Sequence, residues 1–124
     1  MSHVTGTPRL LLRLEGLALL VGATGLYAWL GASWSLYAVL FLAPDLSMLG
    51  YLAGPRAGAA LYNAAHTTLV PLALVGLAAA LGSIGLAAVA AVWAAHVGFD
   101  RLLGYGLKHA TAFRDTHLGR LGSA

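Results

Sequence analysis

Five ionisable residues of this sequence, Glu15, Asp45, His66, His96 and Asp100, stand inside long apolar runs. A charge at mid-bilayer costs on the order of 2.5 to 3.5 kcal/mol on insertion scales, so each needs a partner, a wet cavity or an ion. His96 and Asp100 are four residues apart, and Asn63 and His66 three apart; on a helix each pair shares one face and can point into a bundle. The chain has no cysteine, so sulfur is absent from any ligand set. Imidazole with carboxylate suits zinc, iron or manganese, and metal sites on facing helices of four-helix bundles use comparable side chains. His66, His96 and Asp100 are the core candidate metal ligands. Asp45 and Glu15 would be further ligands or a general base activating metal-bound water. Asn63 would stand behind the ligands or orient a substrate, and Tyr62, one turn before His66, could line the cavity as a donor. Two other readings use the same residues. One is a metal-free hydrogen-bonded core, with Asp100 orienting His96, Asn63 serving His66, and Arg13 or Arg101 neutralising an acid. The other is a proton or ion relay.

Asp115-Thr116-His117 adds a carboxylate and an imidazole near the C-terminus. This segment could close over the site, with Asp115 near substrate and His117 as a further ligand. Alternatively, it lies at the interface, with Phe113 and Leu118 in lipid and Arg114 and Arg120 on phosphates.

The elements that must position these groups follow from composition. Of the 124 residues, 60% are hydrophobic and 9% charged, with a mean hydropathy of +0.82. A soluble chain this short has too little interior to hide that much apolar surface. The natural solvent is a bilayer. Residues 57–99 carry no Asp, Glu, Lys or Arg; that is about twice the roughly 20 residues of one helical span, so the run must turn, and Gly82-Ser83 is the breaker. Upstream, a hairpin at Gly31-Ala32-Ser33 carries the second helix past Asp45. The expected fold is all-α: an integral membrane bundle of four helices near 10–30, 34–53, 56–81 and 84–107, with residues 1–108 as the membrane domain and 109–124 as a short cytoplasmic or interfacial tail. Pro44 and Pro71 should kink their spans or free a backbone carbonyl, and Pro44-Asp45 could begin a new segment after a break. Small residues four apart, Ala18 with Gly22, Gly50 with Gly54 and Gly54 with Gly58, could allow close helix approach; beside Pro55, Gly54 fits a turn better.

Basic residues test the span count independently. Arg9 and Arg13 flank the first helix, Arg56 sits in the second connection, and Arg101, Lys108, Arg114 and Arg120 follow the fourth, while the first and third connections are uncharged. By the positive-inside rule both termini are cytoplasmic. A cleaved signal peptide is disfavoured, because apolar character continues far beyond a short h-region. From these anchors each helix brings a polar group to a similar depth, on the order of 9 to 18 Å at a rise of 1.5 Å per residue. Tyr27, Trp29, Trp34 and Tyr37 fit an outer aromatic belt, and Tyr51 and Tyr105 an inner one. The net charge of +3 argues for loop orientation and contact with anionic lipid, not for nucleic acid.

The runs Ala43-Pro44-Asp45-Leu46-Ser47-Met48-Leu49-Gly50-Tyr51, Leu61-Tyr62-Asn63-Ala64-Ala65-His66-Thr67, Ala95-His96-Val97-Gly98-Phe99-Asp100-Arg101 with Gly104-Tyr105-Gly106-Leu107-Lys108, and Phe113-Arg114-Asp115-Thr116-His117-Leu118-Gly119 resemble a small bacterial membrane-protein family catalogued as domain of unknown function 4260. The resemblance covers nearly the whole chain and implies a multi-spanning protein of the bacterial inner membrane; it supplies no reaction. Three functions are compatible with the residues: a metal-dependent membrane enzyme, hydrolase or oxidoreductase, acting on an apolar or amphiphilic substrate; a small, oligomeric proton- or cation-coupled transporter or channel; and a structural membrane subunit. Membrane lipids, and a second copy of the chain, are the expected partners.

The charge pattern makes a direct prediction. Reporter fusions near Ser2, Pro55 and Ser123 should read inside, and those at Ser33 and Ser83 outside. An outside Ser123 would mean an odd number of crossings and would remove the common depth of the polar residues.

Overall fold

The computed structural model describes residues 5–105 and 107, together with the backbone of 115–116 and 119–120. Among the described residues, five α-helices and one 3-10 helix make up the body: α1 (Gly6–Leu30), α2 (Trp34–Phe41), the 3-10 helix (Ala43–Ala53), α3 (Pro55–His66), α4 (Leu69–Leu81) and α5 (Ile84–Leu102). Two-residue strands, β1 (Asp115–Thr116) and β2 (Gly119–Arg120), pair antiparallel within the segment expected to be a tail. By length and composition three helical stretches can cross a membrane: Gly6–Leu30, Trp34–Ala53 and Ile84–Leu102. The bent pair of α3 and α4 can count as a fourth.

Both expected hairpins form where the sequence places them, for a reason visible in their residues. Gly31 and Gly82 end α1 and α4 in the left-handed region, at φ +75° and +63°, where a Cβ is penalised. Ser33 and Ser83 then open the next helices, their hydroxyls accepting from the amides of Leu36 and Leu86 at 3.2 and 3.1 Å. Each turn stops one helix and caps the next.

The two proline-containing spans are not continuous. The second changes from α-helix to 3-10 helix at Leu42-Ala43, with Pro44 in the first turn of the new segment. The third breaks at Thr67-Thr68 and bends by 43°. Pro71, three residues into α4, has no amide to donate, and its ring would collide with the carbonyl of Thr67 in an unbroken helix. The expected 56–81 helix is therefore two helices, and 34–53 is an α-helix followed by a 3-10 helix. The fourth helix ends at Leu102, short of the expected 107.

Helix α5 is the centre of the bundle. Half of its most apolar window is buried, against 17% for α1 and 11% for Trp34–Ala53. It packs chiefly on α1 and α4, while the 3-10 helix packs on α3. The α1–α5 seam is a crossing of two glycines. A Cβ on Gly98 would lie 2.6 Å from the Gly16 carbonyl oxygen and from the Leu20 amide nitrogen, and one on Gly16 would lie 2.7 Å from the Gly98 carbonyl oxygen. Backbone touches backbone here. Of the small-residue pairs noted in sequence, Gly50 and Gly58 do serve packing, against Leu61 and the ring of Tyr51. Gly54 is a turn at φ +112°, and Gly22 has nothing within 4 Å of its Cβ position.

Tyr27 corrects the aromatic-belt expectation. It is fully buried, edge-on to Tyr37 at 5.1 Å and tilted against Trp34 at 5.4 Å, with its hydroxyl donating to the Ser33 carbonyl. Trp29 and Trp34 remain largely exposed, as a belt requires.

The glycine seam predicts an asymmetric response. Gly98→Ala should destabilise the protein by about 1–3 kcal/mol or more, because the backbone it meets cannot rotate away. Gly22→Ala should be near neutral. Thermal unfolding of the two variants in one detergent measures the difference.

Candidate metal centre

Asp45, His66, His96 and Asp100 come together from three elements: the 3-10 helix, the last residue of α3, and one face of α5. One ligand atom from each lies within 4.8 Å of all the others. Five of the six separations are close to uniform. His66 Nε2 is 3.1 Å from His96 Nε2 and 3.1 Å from Asp45 Oδ1. His96 Nε2 is 3.2 Å from Asp45 Oδ1 and 3.3 Å from Asp100 Oδ2, and His66 Nε2 is 3.5 Å from Asp100 Oδ2.

Broken helices build this arrangement. Where α2 gives way to the 3-10 helix, the Asp45 amide donates to Leu42 at 3.2 Å, so the Phe41 carbonyl loses the partner an α-helix would give it. His96 supplies one: its Nδ1 lies 2.5 Å from that carbonyl oxygen. Where α3 ends, the carbonyls of Ala65 and His66 are likewise without a following turn. Trp93 Nε1 donates to Ala65 at 2.6 Å, and Arg101 Nη2 reaches the His66 carbonyl oxygen at 3.4 Å. Helix α5 therefore closes both breaks with its own side chains. Each break thus leaves carbonyls that side chains of α5 take, those of Phe41, Ala65 and His66.

The same hydrogen bonds fix the imidazoles. His66 Nδ1 faces the Tyr62 carbonyl at 2.8 Å, and His96 Nδ1 faces that of Phe41. A carbonyl only accepts, so this network assigns the proton to Nδ1 in both rings. Both Nε2 atoms then direct lone pairs at each other and at two carboxylates. Four acceptors at these separations repel unless positive charge sits among them, supplied by a metal ion or by protons. Ligands about 2.0 to 2.1 Å from a tetrahedral ion lie about 3.3 to 3.4 Å apart, and the five donor separations straddle that spacing. An imidazole whose second nitrogen donates to a backbone carbonyl is also the usual outer support of a metal-bound histidine.

Burial is uneven. The side chains of His66, His96 and Asp100 are 3%, 2% and 11% exposed, against 42% for Asp45. Tyr62 supports the closed side twice: its ring stacks on His66 with centroids 3.7 Å apart and planes 6° from parallel, and its hydroxyl lies 3.3 Å from Asp100 Oδ2. Phe41 packs edge-on to His96 at 5.0 Å.

Other sequence-proposed residues fall elsewhere. Glu15 is exposed on α1, beside the glycine seam and outside the four-residue group. Asn63 is half-buried on α3, one turn before His66. The described bonds of Arg13 and Arg101 run to carbonyls, Arg13 Nε to Leu102 at 2.8 Å, not to an acid. His117 lies outside the described residues, and Asp115 is placed by its backbone alone. Sequence reasoning missed Trp93 and the backbone carbonyls of Phe41, Tyr62 and Ala65. Trp93 stands three residues before His96 on α5, a spacing that could have flagged it.

A family model described as a domain of unknown function, DUF4260, matches residues 9–121. The chain belongs to the DUF4260 family. That match spans all four members of the group and every helix that positions them. No curated protein and no solved structure matches the DUF4260 chain, so the functional reading rests on the site itself.

Tyr62 gives the site a graded test. Tyr62→Phe keeps the ring over His66 but removes the hydroxyl from Asp100, and metal affinity should fall about 10-fold, within the range typical of lost outer-shell bonds. Competition with a chelator of known affinity measures it, and unchanged affinity would reduce Tyr62 to packing.

Proposed function

We propose that this protein is a metal-dependent membrane enzyme, with His66, His96, Asp100 and Asp45 holding a transition metal ion near the cytoplasmic leaflet and an apolar or amphiphilic molecule as substrate. The observation that carries this reading is the convergence of two Nδ1-anchored imidazoles and two carboxylates within 4.8 Å of one another, five of their six separations being near the donor spacing of a four-coordinate ion. A bound zinc ion would supply Lewis acidity for hydrolysis, and iron or manganese would also allow redox chemistry. The chain's own residues divide the remaining work. His66 and His96 are oriented by their carbonyl partners, Tyr62 steadies Asp100, and Asp45 faces the open side, where a carboxylate can bind the ion or take a proton. Both termini would be cytoplasmic, in accord with the basic residues near the ends of α1 and α5.

A proton- or cation-coupled transporter is the second reading. The observation favouring it is that two discontinuous helices meet at the site, an architecture by which transporters present carboxylates and backbone to an ion.

Protein purified in detergent, without chelator or affinity-column metal, should contain one transition metal ion per chain, as measured by elemental analysis. His96→Ala or Asp100→Ala should remove most of it, and Glu15→Gln should leave it in place. Metal-free wild type of normal stability would instead favour protons at the centre of the group.

Asp45→Asn divides the two readings, because the amide keeps the size but cannot cycle a proton. For the enzyme, turnover in a lipid-extract screen should be abolished with the fold retained. For the transporter, proton-coupled flux in liposomes should vanish with metal content unchanged.

A further inference from the structure

Three members of the group are locked and one is not. His66 and His96 are each held at the second ring nitrogen by a backbone carbonyl, and Asp100 by the Tyr62 hydroxyl. Asp45 differs in every respect. It sits in a 3-10 helix, whose hydrogen bonds are poorer than those of an α-helix, its described side-chain contacts are the two Nε2 atoms, and 42% of its side chain is exposed. Its neighbours Leu42 and Leu46 turn outward, 65% and 67% exposed. Phe41, whose carbonyl anchors His96, also packs edge-on to Phe99 at 5.6 Å. The accessible member of the group is thus one carboxylate, with an exposed leucine three residues before it and another directly after it.

We propose that Asp45 is the displaceable ligand of the metal centre, and that what displaces it is an amphiphile with an anionic oxygen head and an apolar chain that lies across Leu42 and Leu46. This deepens the metal-enzyme reading and rests on it. The exchange would balance: Asp45 would give up its place on a bound ion to the oxygen of the incoming head, one anion replacing another. The freed carboxylate moves to the side where it is already exposed. No reorganisation of His66, His96 or Asp100 is required. The chain of the ligand stays in apolar surroundings throughout, as it must if the route to the site runs through the span that carries Asp45.

A concavity of about 350 Å³ elsewhere in the bundle does not compete for this role. It is lined by Ala18, Gly22, Pro71, Val75, Ala90 and Ala94 among others, between α1, α4 and α5. Ala91 and Ala94, both in its lining, lie on the side of α5 turned away from His96 and Asp100 by helical periodicity.

The experiment uses full-length protein in detergent, loaded with cobalt(II), whose visible spectrum reports its ligand shell. Acetohydroxamate and octanohydroxamate are titrated as short and long anionic oxygen donors. Both should shift the cobalt bands, with octanohydroxamate binding about tenfold or more tightly, since each additional buried methylene is favourable. In Leu42→Ser/Leu46→Ser that chain-length advantage should shrink to about threefold or less, from the same loss of apolar contact, while acetohydroxamate affinity stays at the wild-type value. That unchanged short-probe response is also the control for a folded centre. Asp45→Asn should bind acetohydroxamate more tightly, because the amide is the weaker ligand to be displaced. Cobalt-loaded wild type whose spectrum neither probe changes would overturn this inference alone, as would a chain-length advantage that survives loss of both leucines. Wild type that takes up no cobalt would overturn the metal reading and this inference with it.

Discussion

A backbone carbonyl inside an apolar bundle must find a donor, and this protein is arranged around that requirement. Prolines at positions 44 and 71 interrupt two spans and leave the carbonyls of Phe41, Ala65 and His66 without helical partners. In water such groups would be solvated at little cost. In a bilayer each unpaired one costs several kcal/mol. His96, Trp93 and Arg101 of α5 meet all three, and in doing so they dock the second and third stretches, both broken, onto α5. The imidazole of His96 is aimed at the group because its other nitrogen is occupied by a break in the chain.

This dependence explains why ligand geometry and fold are hard to separate here. The glycine crossing of Gly16 and Gly98 brings α1 against one side of α5, leaving the opposite side, with His96 and Asp100, for the broken helices. Tyr62 contributes three separate things from one residue: a carbonyl for His66 Nδ1, a ring stacked on that imidazole, and a hydroxyl for Asp100. The inner face is rigid by construction. Asp45 alone is exempt.

Much of this was legible from residue types. The Gly-Ser turns, the breaks at Pro44 and Pro71, and the shared face of His96 and Asp100 are local signals governed by local sterics, and each is found where the sequence predicts it. Asp45 and His66 were legible through depth along their helices. Depth says nothing about azimuth, which is why Glu15 shares the height of the group yet stands exposed on α1: its neighbour Gly16 is the residue that faces α5. The Gly16–Gly98 seam joins residues 82 positions apart through backbone atoms, so no spacing rule could expose it. The pairing of Trp93 with Ala65 depends on where α3 stops, which is set by a proline five residues beyond its end. Tyr27 was misread because an aromatic residue near a span end suits a lipid interface and a buried cluster equally well.

The central position of α5 also orders the assembly of the chain. In a chain inserted into a bilayer as it is made, the helices preceding α5 would enter first, and until α5 arrived the carbonyls of Phe41, Ala65 and His66 would lack the donors it supplies, as Asp45 and His66 would lack His96 and Asp100. Helix α5 is thus the donor strip for the two breaks before it. A nascent chain halted before Ile84 would hold its polar backbone against lipid, a species that quality-control proteases or waiting insertion factors can distinguish from the finished bundle.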